Sequence, residues 1–480
     1  MQFNTRYSLL DSKLFHQQMP APLIGAKAGH FNAALADELG WSEADKADWM
    51  KICSGQKTFA EFPPLAMVYA GHQFGQWAGQ LGDGRGLLLA QIIDQHGKTI
   101  DLHLKGAGKT PYSRMGDGRA VLRSVIREYL AGHTLNALGV PSSNAVGFTT
   151  STQPIQREKI EHGAMILRSS DCHIRLGHFE WINQYAPKLL PEFTQKCIEW
   201  HYPECLEHEQ PILAFATKVI QNTAIMIAKW QLVGFAHGVM NTDNLNITGS
   251  TLDFGPYGFM ERFRPNWINN HSDHSGRYTY QQQPSVAHWN LWVWLNNLIP
   301  LAKAEEKDIF KEQLAQCLEH FEPTFLEHYQ HGLSQKMGLP HFHKDSFDCA
   351  MLFLRILQSE QLDYTQSFLR LQNKQYTELK DDCLDPRQFD DFLTQYENIR
   401  MHQDPEQLDL DMKTANPVYI LRNHMAQKAI ELAENDNFSE VERLFNLLKQ
   451  PFSKQSDLEK AEDLAPLASD QPEVMVSCSS

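Results

Sequence analysis

The sequence predicts an α+β fold, with a mixed N-terminal extension, a part rich in Gly turns and short strands, and a helical C-terminal region. Two observations carry this expectation. Between residues 66 and 180, Gly-rich turns alternate with short apolar runs that suit strands. Beyond residue 285 nearly the whole chain reads as helical. At 480 residues the chain is also too long for one small core, because domains usually hold about 100 to 200 residues. No period of about 20 to 50 residues repeats, so a solenoid or propeller is excluded. The expected units are an N-terminal extension over 1–65, a unit with the Gly-rich turns over 66–180, a unit with the long apolar run over 181–300, a helical region over 301–452 and a polar tail over 453–480.

The elements follow from residue pattern. The extension mixes short helical and extended patterns. Gly86 to Ile93 and Thr99 to Lys105 read as strands. In the second, Ile100, Leu102 and Leu104 alternate with Asp101, His103 and Lys105, the pattern of a half-buried strand. Residues 119–139 set Leu122, Ile126, Tyr129 and Leu130 on one side of a helix, with Glu128 among them and Gly139 as its stop. Residues 212–237 form a long apolar-rich run whose polar positions are Lys218, Gln221, Lys229 and Gln231, which predicts a buried helix ending at Gly238. Ser439 and Glu442 have the spacing of a capping box, and Pro451 closes that helix. The tail is acidic and polar, and little packing is expected of it.

Composition excludes several classes of function. With 42% hydrophobic and 21% charged residues the chain is an ordinary globular protein with a large core, not a disordered one. A formal charge of −15 argues against nucleic-acid binding, which needs clustered Lys and Arg to replace counterions. The opening MQFNTRYSLLDSKLF has no apolar signal segment, and polar residues interrupt every apolar run before the ~18 residues of a membrane span. A cytoplasmic protein without membrane attachment is expected. The eight cysteines have no C-x-x-C or zinc-finger spacing and read as buried free thiols. Cys478 differs, because the polar VSCSS around it favours exposure.

Four features that bear chemistry follow one another along the chain. GQLGDGRG, residues 79–86, permits a tight turn and close approach of backbone N–H groups to phosphate. Lys105 ends the next strand but one, and Glu128 lies on the following helix. HGVMNTDN, residues 237–244, then precedes Asp253-Phe254-Gly255. Protein kinases use this order, with H-R-D-x-x-x-x-N ahead of D-F-G. Here Val239 stands where that frame puts the catalytic Asp. Asn244 and Asp253 offer hard oxygen ligands of the kind Mg²⁺ takes beside nucleotide phosphates. His237 is expected to be structural, packing the loop against Asp253.

Two look-alikes drop out. GAGKT, residues 106–110, resembles the end of a P-loop, but His103 occupies the place of its first Gly. HSDHSGRY, residues 271–278, spaces two His and an Asp like metal ligands, with no further group evident beside them, and reads as a polar loop.

Together, GHQFGQWAGQLGDGRG, HLKGAGKTPYSRMGDGRAVLRSVIREYL, HGVMNTDN and LDFGPYGFM resemble the selenoprotein O family, kinase-fold enzymes that adenylylate proteins. The likeness runs over essentially the whole chain, through NPVYILRN to the terminal VSCSS. It implies a protein-kinase-like bilobal fold, and transfer of AMP from ATP to Ser, Thr or Tyr hydroxyls of other proteins with release of pyrophosphate. Mg²⁺ or Mn²⁺ would assist, UMP from UTP is a further donor chemistry, and the nucleotide would lie inverted relative to kinases. The resemblance assigns ATP contacts to Gly82, Gly84, Arg85, Lys105, Asp117, Gly118, Arg168, Arg175 and Asp253. It makes Asp243 the proton acceptor, Asn244 and Asp253 the metal ligands, and Glu128 the partner of Lys105. Lys105, Arg85, Arg168 and Arg175 would place four cations in an acidic protein, which makes sense if they face a triphosphate.

The sequence also departs from related patterns. No A-P-E segment follows Asp253, against regulation by a kinase-like activation loop. Cys478 stands where some members carry selenocysteine, and Asn269 where others place a Cys that could bridge to the terminus. Two other functions compete with AMP transfer. One is a kinase-like phosphotransferase with Asp243 replacing the lost base, and the other an ATP-binding pseudokinase without turnover.

Overall fold

A computed structural model describes residues 1–341, 344–401, 404–467 and 473–477; Cys478 lies outside them. The fold is mixed α/β with a helical C-terminal region. Its main sheet begins with the two expected strands, Gly86–Ile93 and Thr99–Lys105, which pair antiparallel. The Asp94 carboxylate fixes the turn between them by accepting from the N–H groups of His96 and Lys98 at 2.9 and 2.8 Å. Across the sheet the order is Phe15–Gln17, Leu65–Met67, Gly86–Ile93, Thr99–Lys105, Ile160–Ser170, Asn144–Gln156 and Lys27–Phe31. Every neighbouring pair is antiparallel. Short strands from the first 65 residues therefore form both edges of the sheet, and short edge strands limit the row of backbone groups left open to pairing.

The Lys105 strand is not half-buried as its alternation suggests. Asp101, His103 and Lys105 are buried as well as Leu102 and Leu104. The polar face is covered because ionic partners pack onto it: Asp83 meets His103, and His173 meets Asp101. Alternation recorded the chemistry of the two faces but not their exposure.

The Glu128 helix spans Leu122–Ala137 and lies on strands Asn144–Gln156 and Ile160–Ser170. Gly139, with φ +75°, ends it as expected. Helices Asn423–Ala433 and Ser439–Leu448 cover its outer side, where Tyr129 and His133 stack on Phe445 at 5.5 and 3.8 Å between ring centroids. The capping box expected at Ser439 and Glu442 does not form. Phe438 is the cap residue, and Glu442 turns instead to His30 Nε2 at 2.6 Å, so a tertiary hydrogen bond replaces the local one. The tail also packs more than its polarity suggests, since Arg443 binds Asp463 at 2.7 Å and Val476 is buried beside Asn270.

The long apolar helix runs Pro211–Leu232, shorter than expected. Gly234, with φ +70°, reverses the chain, and Phe235–Ala236 then pairs with Gly258–Phe259. That pairing takes over the residues that hydropathy had assigned to the helix. By length and composition this helix would cross a membrane, but half of its most apolar window is buried in the protein. Beyond its C-terminal Leu232, residues between Met260 and Met412 build a second core that includes Phe353, Phe368, Phe392 and Tyr396. Phe353 and Phe392 stack at 4.9 Å, and burial of each ring stabilises the fold by about 2 to 3 kcal/mol. The seven described cysteines are buried free thiols.

Candidate active site

A cavity of about 750 Å³ opens between the sheet and the loops that follow the apolar helix. Its roof is the glycine-rich turn. Gly82 has φ +142°, and a Cβ there would meet the Tyr112 ring at 2.6 Å, so only glycine fits. The segment discarded as a P-loop turns out to fasten this roof. Thr110 Oγ1 donates to the Asp83 carbonyl at 2.7 Å, and Ser113 Oγ donates to that of Gly84. Gly118 allows the same segment to close on itself, because a Cβ there would overlap the Gly108 carbonyl.

The inner wall is ionic. The register that sets Arg168 opposite His103 puts its side chain on the face that carries Lys105. Glu128 reaches both cations, one through each oxygen, from the neighbouring helix. Arg168 Nη2 and Arg175 Nη2 then hold Asp253 at 3.0 and 2.8 Å. Burial alone would raise the Asp253 carboxyl, but Arg175, Arg168 and Lys105 outweigh it and hold it well below the usual range. Burial lowers Lys105 to about 8 against the pull of Glu128, with Arg168 and Arg85 adding to the fall. Asp253 itself has φ +59°, a left-handed conformation that costs a non-glycine residue about 1 to 2 kcal/mol. Strain of this kind concentrates at functional sites.

The floor is the HGVMNTDN loop. Buried His237 accepts no substrate-facing role: its Nε2 bonds the Leu252 carbonyl at 2.8 Å and its ring stacks on Trp230. It thereby ties the loop to the residue before Asp253. Asn244 Nδ2 donates to the Val239 carbonyl at 3.0 Å, which orients the amide and leaves Oδ1 as its acceptor atom. Asp243 Oδ2 accepts from Gln73 Nε2 at 3.1 Å, while Oδ1 is buried with no hydrogen-bond partner among the described residues. Burial pushes the Asp243 carboxyl up to about 7, and the Gln73 bond opposes the shift.

Gly82, Gly84, Arg85, Lys105, Asp117, Gly118, Arg168, Arg175, Asp243, Asn244 and Asp253 thus line one cavity. Glu128 stands behind the wall and touches the cavity only through Lys105 and Arg168. Asp117 lies at the mouth, apart from the Asp253 cluster, with its carboxylate held by Arg157 at 2.8 and 2.9 Å. Asn269 is buried elsewhere, donating to the Pro256 carbonyl at 3.1 Å.

The family model described as protein adenylyltransferase SelO matches residues 1–449. The chain belongs to the SelO family. Its relatives include the protein nucleotidyltransferase YdiU of Yersinia pseudotuberculosis serotype O:1b (strain IP 31758), 43% identical over 495 residues that cover 100% of this chain and 99% of the relative. YdiU of Vibrio parahaemolyticus serotype O3:K6 (strain RIMD 2210633) is 41% identical over 100% of this chain and 98% of its own. YdiU of Pectobacterium carotovorum subsp. carotovorum (strain PC1) is 42% identical, with 98% and 99% covered. The SelO chain is accordingly an enzyme of the nucleotidyltransferase class.

Sequence reasoning missed several groups in this SelO cavity. Asp83 sits inside GQLGDGRG, between the glycines and beside the Arg85 that the sequence singles out. Gln73 and Phe74 come from a hairpin, Ala70–Gln73 with Gln76–Gln80, that folds over the catalytic-type loop. The Phe74 N–H donates to Asn241 Oδ1 at 3.2 Å and to Tyr278 Oη at 2.9 Å. Tyr278 belongs to HSDHSGRY, whose Asp273 accepts from the loop's own N–H groups at Arg277 and Tyr278. The one available signal was the Gln and aromatic content of GHQFGQWAG just ahead of the glycine-rich turn.

Proposed function

We propose that the chain transfers AMP from ATP to Ser, Thr or Tyr hydroxyls of other proteins, on a protein-kinase-like bilobal scaffold whose first lobe is residues 66–180 and whose second is 181–300. The observation that carries this reading is the wall of the cavity. Lys105, Arg168 and Arg175 are buried cations gathered on Glu128 and Asp253 beside a glycine-rich turn. Buried charge in this density is costly unless it serves a ligand of high charge, and a triphosphate supplies that charge.

Mg²⁺ or Mn²⁺ fits the residues present. Asn244 Oδ1 and the Asp253 carboxylate are hard oxygens facing one cavity, and no cluster of three His, Cys, Asp or Glu exists among the described residues to make a self-sufficient site. A cation held by two protein ligands needs phosphate oxygens to complete its shell, the usual arrangement for Mg²⁺ at nucleotides. Such an ion would neutralise phosphate charge. The protein groups do the rest: Lys105 and Arg175 orient the phosphates, and Arg85 adds charge at the mouth. An acceptor hydroxyl oxygen then bonds to the α-phosphorus, the bond from that phosphorus to the bridging oxygen of the β-phosphate breaks, and pyrophosphate leaves. The hydroxyl proton passes to Asp243, whose bare Oδ1 is the acceptor atom. Val239 leaves the kinase position without a base, which argues against ordinary phosphoryl transfer. Burial of the Pro211–Leu232 helix in the core supports a protein of the cytoplasm rather than one fixed in a membrane.

Incubation with ATP labelled at the α- or the γ-phosphate tests this. Label retained on protein only from α-labelled ATP is the expected result; retention only from γ-labelled ATP overturns the reading in favour of a kinase. Parallel incubation with α-labelled UTP establishes whether UMP is also transferred.

A further inference from the structure

One carboxylate of the cavity has no task in the chemistry above. Asp83 is buried in the glycine-rich turn, 4% exposed. Its Oδ2 accepts from the Met67 N–H at 3.0 Å and lies 3.2 Å from His103 Nε2, and its Oδ1 accepts from the Tyr69 hydroxyl at 3.4 Å. The same Oδ1 lies 3.7 Å from Arg175 Nη1. Arg175 is thereby shared between two carboxylates on different elements, since its Nε and Nη2 donate to Asp253 Oδ2 at 3.2 and 2.8 Å. Its plane rests on the Tyr69 ring, 4.6 Å from the centroid.

We propose that Asp83 is a positioning residue that anchors Arg175 to the glycine-rich turn, so that the guanidinium can exchange Asp253 for the triphosphate without leaving the cavity. This rests on the nucleotide-transfer reading above. If Asp253 is to serve as a ligand to a cation, its bonds to Arg175 must loosen. A guanidinium tied to Asp253 alone would then follow that carboxylate or swing free. Asp83 supplies a second, fixed hold, and it belongs to the very turn whose Gly82 and Gly84 border the same cavity. Tyr69 limits the movement to a slide across its ring. His173 contributes only a carbonyl, 3.4 Å from Nη1, and could not replace a charge.

The test is calorimetric titration of ATP with MgCl₂ onto the full chain, in wild type, Asp83→Asn, Arg175→Ala and the double variant. Asparagine keeps the size of the side chain and an acceptor for Met67 while removing the charge. The expected result is an affinity about tenfold weaker in Asp83→Asn, equivalent to about 1.4 kcal/mol, and no further loss when Asp83→Asn is added to Arg175→Ala. Wild-type affinity in Asp83→Asn overturns the anchor while leaving the function intact. An equal loss in both backgrounds also overturns it, because the effect would not pass through Arg175. A wild type that fails to bind ATP overturns both readings. Should melting curves show Asp83→Asn unfolded, Tyr69→Phe carries the test by removing only the hydroxyl on Asp83. Its expected loss is about two- to threefold, on the scale of one neutral hydrogen bond, and absent in the Arg175→Ala background; no loss, or an equal loss there, overturns the anchor.

Discussion

Lys105 with Arg168 and Arg175 in the cavity, and Lys336 in the helical core, are buried cations held in different ways. In the cavity, Lys105 and Arg168 share Glu128, and Arg168 and Arg175 share Asp253. In the helical core, Lys336 is 2% exposed, with no carboxylate paired to it among the described residues; its Nζ lies 4.5 Å from the Phe368 ring centroid and 5.5 Å from that of Tyr364. The same burial has different consequences. It lowers Lys105 to about 8, where Glu128 resists the shift, and Lys336 to about 7, where no carboxylate does. Ionic sharing keeps the cavity charged for a ligand, while aromatic faces alone leave an amine close to neutrality.

Breaking the shared network should have the largest effects. Asp253→Ala removes a metal-ligand candidate and takes from Arg168 and Arg175 the carboxylate they share, leaving Arg168 on Glu128 and Arg175 on Asp83. Transfer should fall by about 1000-fold or more, the scale of losing transition-state charge stabilisation, and metal-dependent ATP binding should vanish in titrations. Asp243→Ala removes only the proposed proton acceptor. Its expected signature is ATP affinity near wild type with transfer slowed about 100-fold or more. Transfer at the wild-type rate would remove Asp243 from the mechanism.

Glu128→Gln separates the network's structural share from its chemical one. The change leaves Lys105 and Arg168 buried without their common counter-charge, and losing one partner of a buried pair costs about 3 to 5 kcal/mol. A lower melting temperature and weakened ATP binding are expected together. Unchanged melting would show that solvent or Asp253 compensates.

These contrasts also show what the sequence could reveal. Lys105, Glu128, Asn244 and Asp253 were legible because each stands at a fixed place in an ordered set of motifs, and their elements are local. The strands Gly86–Ile93 and Thr99–Lys105 follow from alternation and apolar runs over a few residues. Asp83 was not legible, because its partners Met67, His103 and Arg175 come from separate strands and a helix start. Glu442 was misread for a related reason: its local spacing signals a cap, but a histidine 412 positions away competes for it. Gly234 outcompeted Gly238 as the helix stop because Phe235 finds Phe259 across a two-stranded ribbon. Local pattern identifies residues, and long-range partners decide what they do.

Lys336 gives the smallest effect and the cleanest sign. Its ordinary value of 10.5 falls to about 7 because burial penalises the ammonium form. A depressed folded-state value means that the neutral amine suits the fold. The stability linked to it is present above 10.5, declines as pH falls towards 7, and is gone below 7, where the fold must bury an ammonium. At about 1.4 kcal/mol for each unit, that loss reaches a few kcal/mol, partly offset by attraction to the two rings. Lys336→Met keeps the length of the side chain without the charge, so its melting temperature should exceed that of wild type by several degrees at pH 6. The gap should shrink as pH approaches 10, and AMP transfer at fixed temperature should not change. A gap that is constant with pH would mean that shape rather than charge separates the two side chains. A wild type more stable than the variant at pH 6 would mean that the rings hold the ammonium well enough to make it a stabilising part of the helical core.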